Sequence, residues 1–356
     1  MRFNETRMYH LRRRELIAGA LGLIVQAGCS GGSGTAGGSS ADRVLGPQYF
    51  LTPIKPLSGD TAVSATGLNN LGWAAGSSAN VPAKLPPVPV QIPRHAILKI
   101  GPVARTLPTL AGDENNSSAI DVNDAGTVVG VSGATPVLWE GATFAIRAIP
   151  GLTGLTEVRP LAINNNGALL AASRQGSFLW SNGSVTLLPS NFTANSFNDS
   201  SGVAGSVQQK PVLWQNGVVT PLPLLPLDDQ TFAVGGALAI NAAGVTVGTS
   251  EVRLDAIQFE PHAVVWQNGQ VTDLNSLIQP LAITSSGTDI NSHGDIIIDA
   301  AGTHYLYKGG DMHAVKDLVP AATAWSDSRA ILINDRGEIL ITNSNGAAII
   351  SPNSLL

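Results

Sequence analysis

Along this chain of 356 residues, an apolar residue followed by asparagine and, usually three residues later, by glycine recurs seven times. The segment Trp-Gln-Asn-Gly stands at Trp214–Gly217 and again at Trp266–Gly269, with Trp-Ser-Asn-Gly at Trp180–Gly183. Charged residues make up 13% of the chain and aromatic residues 5%, while glycine (39) and proline (22) are frequent. Together these observations predict an all-β fold, a seven-bladed β-propeller. Small, β-branched and turn residues favour many short strands over long helices. A repeat of roughly 40–50 residues, holding several strands, has the length of one propeller blade.

The repeat asparagines are Asn69, Asn123, Asn164, Asn198, Asn241, Asn291 and Asn334, spaced on average by about 44 residues. Each unit parses into four strands. Strand A is the apolar run into the asparagine, as in Ala237–Ile240, and strand B follows the glycine, as in Thr127–Gly130. Strand C ends on an aromatic residue at Trp139, Trp180, Trp214, Trp266 and Tyr307. Strand D follows the Asn-Gly, as in Gln270–Leu274. Asn-Gly between two apolar runs is a strong hairpin signal, because both turn residues need positive φ. Trp-Gln-Asn-Gly is therefore the predicted C–D hairpin of a blade.

The seventh unit supplies strands A, B and C, and an unassigned strand-like segment, Tyr49–Leu57, precedes the first unit. Read as a strand D for the last blade, this segment (residues 49–57) closes the ring and leaves no open sheet edge. Six or eight blades would require one unit to be misparsed. The propeller is expected to span residues 45–356.

Residues 1–28 read as an export signal, with Arg12, Arg13 and Arg14 ahead of an apolar run, Leu16–Val25, too short to span a bilayer. The run leads into Ala-Gly-Cys ending at Cys29, the only cysteine. This resembles a bacterial lipoprotein signal, which implies lipidation at Cys29; Gln26 departs from the usual apolar or small residue. Arg13–Ile17 resembles a twin-arginine motif, so the export route stays open between that system and the general one. Residues 29–44 read as a Gly/Ser-rich tether. Removing residues 1–28 takes away five Arg and two Glu, leaving 15 basic and 23 acidic residues, a net charge of −8. Such a body has no basic footprint for nucleic acid, and its attachment to a membrane would rest on the lipid.

The units resemble the bacterial extracellular repeats called HAF repeats, over roughly residues 49–356. The likeness is carried by Ala239–Ser250, His262–Leu274 and Ala119–Ser132. It implies a secreted or cell-envelope setting and supplies no catalytic residues.

No constellation in the sequence specifies chemistry. A single cysteine cannot form an intramolecular disulfide or a cysteine-based zinc site. His95 and His262 both open strand C, and His304 stands close to that position; a recurring position is most simply structural. Asp121–Gly126 fails as a calcium loop, since Ala125 stands where an oxygen ligand is needed. No Gly-x-Ser-x-Gly elbow and no phosphate-cradling glycine loop appears. No catalytic residue, metal or cofactor is therefore expected.

The A–B and C–D turns are uniform, whereas the B–C and D–A connections vary in length. Ligand sites favour variable loops on rigid scaffolds. The insertions Ser78–Arg94, Leu225–Gly236 and Ser250–Pro261 carry Arg94, Asp228, Asp229, Arg253 and Asp255 as candidate ligand-binding residues. Five residues before each repeat asparagine stand Ser64, Ser118, Arg159, Thr193, Gly236, Ser286 and Arg329. If strand A lines the axis, Arg159 and Arg329 flank one mouth of the channel and suit an anionic ligand. The sequence favours a non-enzymatic, lipid-anchored envelope module, expected to be a monomer, that presents variable loops to a protein or glycan. The alternative is a polysaccharide-directed hydrolase or lyase with its site at the channel mouth.

Overall fold

The repeat units fold as seven four-stranded antiparallel sheets in a computed structural model. The structure describes residues 49–82, 92–226, 234–253, 259–278, 284–319 and 324–353. The expectations for residues 1–44, including Cys29, lie outside the described residues, as do Asp228, Asp229 and Asp255.

The chain begins with β1 (Tyr49–Pro53). Blade one is β2 (Ala62–Leu68), β3 (Ala74–Ala79), β4 (Arg94–Ile100) and β5 (Val103–Thr106); blade two is β6 (Ser117–Val122), β7 (Val128–Ser132), β8 (Thr135–Glu140) and β9 (Ala145–Ala148). Blade three is β10 (Arg159–Ile163), β11 (Leu169–Ser173), β12 (Gly176–Ser181) and β13 (Ser184–Leu187); blade four is β14 (Phe192–Phe197), β15 (Val203–Val207), β16 (Lys210–Gln215) and β17 (Val218–Pro221). Blade five is β18 (Gly235–Ile240), β19 (Thr246–Arg253), β20 (Phe259–Gln267) and β21 (Gln270–Asp273); blade six is β22 (Ser286–Ile290), β23 (Ile296–Ala300), β24 (Thr303–Lys308) and β25 (Asp311–Ala314). Blade seven takes β26 (Arg329–Ile333), β27 (Ile339–Asn343) and β28 (Gly346–Pro352) from the end of the chain.

Its fourth strand is β1, which pairs antiparallel with β28 from Tyr49↔Pro352 to Pro53↔Ala348. The pairing joins the two ends of the propeller, as the unassigned segment predicts. The strand is shorter than the expected 49–57. One further bond follows, from the Ile54 N–H to the Ala347 carbonyl at 2.8 Å, and Pro56, which has no N–H, cannot extend the ladder.

Every strand A carries one register shift at the same place, three residues before its asparagine: Thr66, Ile120, Leu161, Asn195, Leu238, Thr288 and Ile331 are the extra residues. A bulge adds local twist to the strand that carries it. The core lies between sheets, in clusters that span adjacent blades. Ile297 and Leu306 of blade six pack with Ala330, Ile339 and Ile341 of blade seven in one of them. Val129 and Leu138 of blade two join Leu169 and Phe178 of blade three in another.

The C–D hairpins form as expected. Asn182, Asn216 and Asn268 have φ of 49°, 49° and 52°, and their glycines also have positive φ. Trp139, Trp180, Trp214 and Trp266 are buried just before these hairpins. In blade four the motif reads Asn198–Gly202, and Ser201, not Gly202, takes the left-handed turn position, with φ of 60°.

Candidate functional site

The two faces of the propeller differ in how tightly their sequence is specified. On the turn face, each repeat asparagine donates its Nδ2 to the backbone carbonyl of the next: Asn69 to Asn123 (2.9 Å), Asn123 to Asn164 (3.0 Å), Asn164 to Asn198 (3.2 Å), Asn198 to Asn241 (3.1 Å), Asn241 to Asn291 (3.0 Å) and Asn291 to Asn334 (3.1 Å). Asn334 then donates to Asn69 at 2.9 Å, and the circle closes. Each Oδ1 accepts the N–H four residues on, as from Trp73, Thr127 and Val245, which fixes the A–B turn. A glutamine is too long for this double task, and an aspartate has no donor.

The following residues form a partial second ring. The Asn70 N–H donates to Asp124 (2.8 Å), Asp124 to Asn165 (2.9 Å) and Asn165 to Asp199 (2.8 Å), while Ser292 donates to Asp335 (2.7 Å) and Asp335 to Asn70 (2.8 Å). Ala242 has no side-chain acceptor and interrupts it. The turn aspartates thus bind backbone, and among the described residues no group of three His, Cys, Asp or Glu is placed to hold a metal.

The loop face carries the candidate residues. Arg159 and Arg329 open β10 and β26 at equivalent registers, opposite Ala172 and Thr342, and both are exposed. They belong to blades three and seven and stand on separate parts of the ring. Arg94 opens β4 with its N–H on the Asn115 carbonyl (2.9 Å). Beside it lies a hollow of about 380 Å³ lined by Pro93 and residues 112–116, which include Asp113 and Glu114. Arg253 ends β19. The insertion expected there as a loop is largely strand: β19 and β20 run on through Glu251↔Pro261, Val252↔Glu260 and Arg253↔Phe259. Burial, with the neighbouring Glu260 charge, pushes the Glu251 carboxyl up from its usual range, while Lys210 opposes the shift.

The two histidines expected to open strand C lie inside it, His95 second in β4 and His262 fourth in β20, because both strands begin earlier than the histidine-alanine pair; both are bound into local networks. His262 Nδ1 lies 2.8 Å from Asp273 and its Nε2 3.2 Å from Asn275 Nδ2, so the neutral ring carries its proton on Nδ1. Ser285 Oγ donates to Asn275 Oδ1 (2.6 Å) and accepts the Ala263 N–H (2.8 Å). Burial pushes the Asp273 carboxyl up, but the hydrogen bonds from His262 and the Asn275 N–H outweigh it and hold the group below its usual range. His95 meets Asp60 at 3.2 Å and Asn115 at 3.4 Å.

His304 differs. Counting back from the strand-C position of Trp266, His304 aligns not with His262 but with Ala263, Ala96 and Ala347. It is buried, and neither ring nitrogen has a partner among the described residues; nor does Ser328 Oγ. A polar side chain in a column of alanine, proline and serine was legible once the units are aligned on their tryptophans rather than on their histidines.

No family model matches the chain, and none of the curated proteins does. Solved structures show the class. The chain is similar to YCF48 bound to D1 peptide (12% identity, TM-score 0.54, covering 88% of this chain and 97% of that one). It is also similar to virginiamycin B lyase from Staphylococcus aureus (10%, 0.52, 86% and 100%). The extracellular domain of BT4673 from B. thetaiotaomicron is matched at 10% identity and a TM-score of 0.50 over 86% of this chain, which spans about two fifths (40%) of that chain. The fold is a seven-bladed β-propeller. At these identities the likeness is one of fold.

Proposed function

We propose that the protein is a non-enzymatic binding module of the cell envelope, exported and held by a lipid at Cys29, with the HAF-type repeats as its scaffold. Its loop face meets a protein or glycan partner. The observation that carries this reading is the contrast between the faces. The turn face uses the asparagine repeated in every blade for a closed circle of side-chain bonds to backbone carbonyls, whereas Arg94, Arg159, Arg253 and Arg329 all stand at loop-face ends of strands. A rigid scaffold with varied, polar loop ends is a common way to build a recognition surface. Among the described residues no helix is long and apolar enough to cross a membrane, and a lipid at Cys29 would supply the attachment.

The test uses the exported chain immobilised on a sensor and challenged separately with purified envelope polysaccharide and with solubilised envelope protein. Replacing the four loop-face arginines with alanine is expected to weaken capture at least about tenfold, the equivalent of a few lost hydrogen bonds. Arg147→Ala, on β9 where the side chain pairs with Glu140, is expected to leave it unchanged. Equal loss in both variants, or capture by neither material, would remove the reading.

A further inference from the structure

We propose that the seam between blades six and seven, at the loop face, binds the hydroxyl groups of a neutral sugar, with His304, Ser328, Asp299 and Arg329 as its contacts. This names a ligand class for the binding face proposed above and rests on that reading.

The placement follows from register. Ile297 pairs with Leu306, and both pack against blade seven. Asp299 and His304 pair with each other two residues further along the same strands, so they share that face. Ser328 precedes β26 and belongs to the opposite wall, with Trp325 buried in the same cluster. Arg329 follows, exposed, and its charge reaches His304.

Other blades show what this seam ordinarily looks like. Ser117 Oγ accepts the Ala96 N–H at 2.9 Å, and Ser285 Oγ accepts the Ala263 N–H at 2.8 Å. Each strut ties a strand C to the start of the next strand A. Ser328 and His304 occupy the same two positions in the next seam, and there the serine hydroxyl has no partner among the described residues. Three buried polar atoms, two of the imidazole and one hydroxyl, are thus left unpaired at one place. Native proteins seldom leave such atoms without a water or ligand, because a desolvated donor or acceptor without a partner is destabilising.

The donor set selects the ligand. A neutral imidazole offers one donor and one acceptor, and a serine hydroxyl offers both. Asp299 accepts and Arg329 donates, so a strongly charged ligand would gain one partner and meet one like charge. Neighbouring sugar hydroxyls, each donor and acceptor at once, can between them meet every member of the set.

The experiment compares the full exported chain with His304→Ala. Alanine is the residue that blades one, five and seven place there, so the variant is expected to fold. Both are titrated with neutral sugars (glucose, galactose, N-acetylglucosamine, maltose, cellobiose) and with galacturonate, following the melting temperature and the His304 imidazole 15N signals. Expected are a rise in melting temperature and a shift of the imidazole signals with at least one neutral sugar, and at least about tenfold weaker binding in His304→Ala. Silence from every neutral sugar, binding of galacturonate alone, or full binding by the variant would each overturn the proposal. Silence would mean that the seam holds only water. Capture of envelope protein by the same preparation then separates the outcomes: retained, the loop-face reading stands without this site; lost, both fall.

Discussion

The Nδ2 of Asn334 donates to the carbonyl of Asn69 at 2.9 Å, across 265 residues of sequence. It is the last of seven equivalent bonds, and it joins blade seven to blade one on the turn face while β1 joins β28 at the outer edge. The ring is thus closed at two radii. Each asparagine is also the hinge of its own A–B turn, so one residue type serves folding within a blade and registry between blades.

Breaking one link should therefore cost more than a surface hydrogen bond. In Asn123→Ala, the Asn164 carbonyl and the Thr127 N–H both lose their partner. The expected loss is about 2–4 kcal/mol, read from urea unfolding. Asn123→Asp keeps an acceptor for Thr127 but sets a carboxylate oxygen against the Asn164 carbonyl. Its deficit at pH 7 should equal or exceed that of alanine and shrink as pH falls, because the protonated carboxyl regains a donor. A deficit independent of pH would show that the lost bond is not what destabilises this variant.

Most of this architecture is legible in the sequence, because the same local constraints are written seven times. Asn-Gly at three C–D turns, glycine after the asparagine and the strand-C tryptophans each answer a backbone or packing demand that few residues meet. The unassigned strand at Tyr49 was legible for the converse reason: three strands at the end of the chain demand a fourth. What the pattern hides is the side-chain partner. Nothing in Asn-x-x-Gly says that Nδ2 reaches the neighbouring blade. His304 stands one position from the histidine column, in the column of Ala263, and only the strand register separates the two. Arg159 and Arg329 do fall at equivalent registers, but a register names no ligand.

Three tryptophans act as struts. Trp139, Trp180 and Trp266 donate Nε1 to the carbonyls of Pro108, Pro150 and Pro223 at 2.7, 2.7 and 2.6 Å, each tying a blade to the connection that precedes it. In blade four, Pro189 gives its carbonyl to the Phe192 N–H instead, at 2.8 Å, because the connection there is short. Replacing Trp by Phe should therefore cost about 1 kcal/mol more at Trp180 than at Trp214, where packing alone is lost. Equal costs in thermal unfolding would show that the strut adds nothing beyond packing.

Ser201 holds φ of 60° where six blades have glycine, with its N–H on the Asn198 carbonyl at 3.0 Å. A side chain in this region costs roughly 1–2 kcal/mol, offset in part by the entropy glycine loses on folding. Ser201→Gly is expected to raise stability by about 0.5–1 kcal/mol without changing ligand binding. A loss of stability would mean that the serine hydroxyl makes a compensating contact.

The β1 strand should be worth more than any single side chain. Deleting residues 49–53 removes the ladder on β28 and bares an edge whose neighbours include the buried Ile349 and Ile350. An unpaired apolar edge is a template for aggregation. The truncated protein is expected to melt at least about 10 °C lower and to self-associate in sedimentation. A monomeric protein of unchanged melting temperature would show that the Asn334–Asn69 link closes the ring without it.

His304 supplies a stability test that needs no ligand. Burial holds its pKa below the ordinary 6.5; Asp299 opposes that shift and Arg329 adds to it. In the unfolded chain the imidazole takes up a proton as pH falls through 6.5, while in the folded chain it stays neutral until the lower folded value is reached. Between those two values the unfolded state binds more protons, so His304 lowers stability progressively as pH drops, and it does so least above 6.5. His304→Ala trades lost packing for the removal of two unpaired nitrogens and should lie within about 1 kcal/mol of wild type at pH 7. Its advantage over wild type should then grow from pH 7 to pH 5. Parallel stability curves would mean that the ring titrates as freely in the fold as in the unfolded chain, and hence that the seam between blades six and seven is open to water.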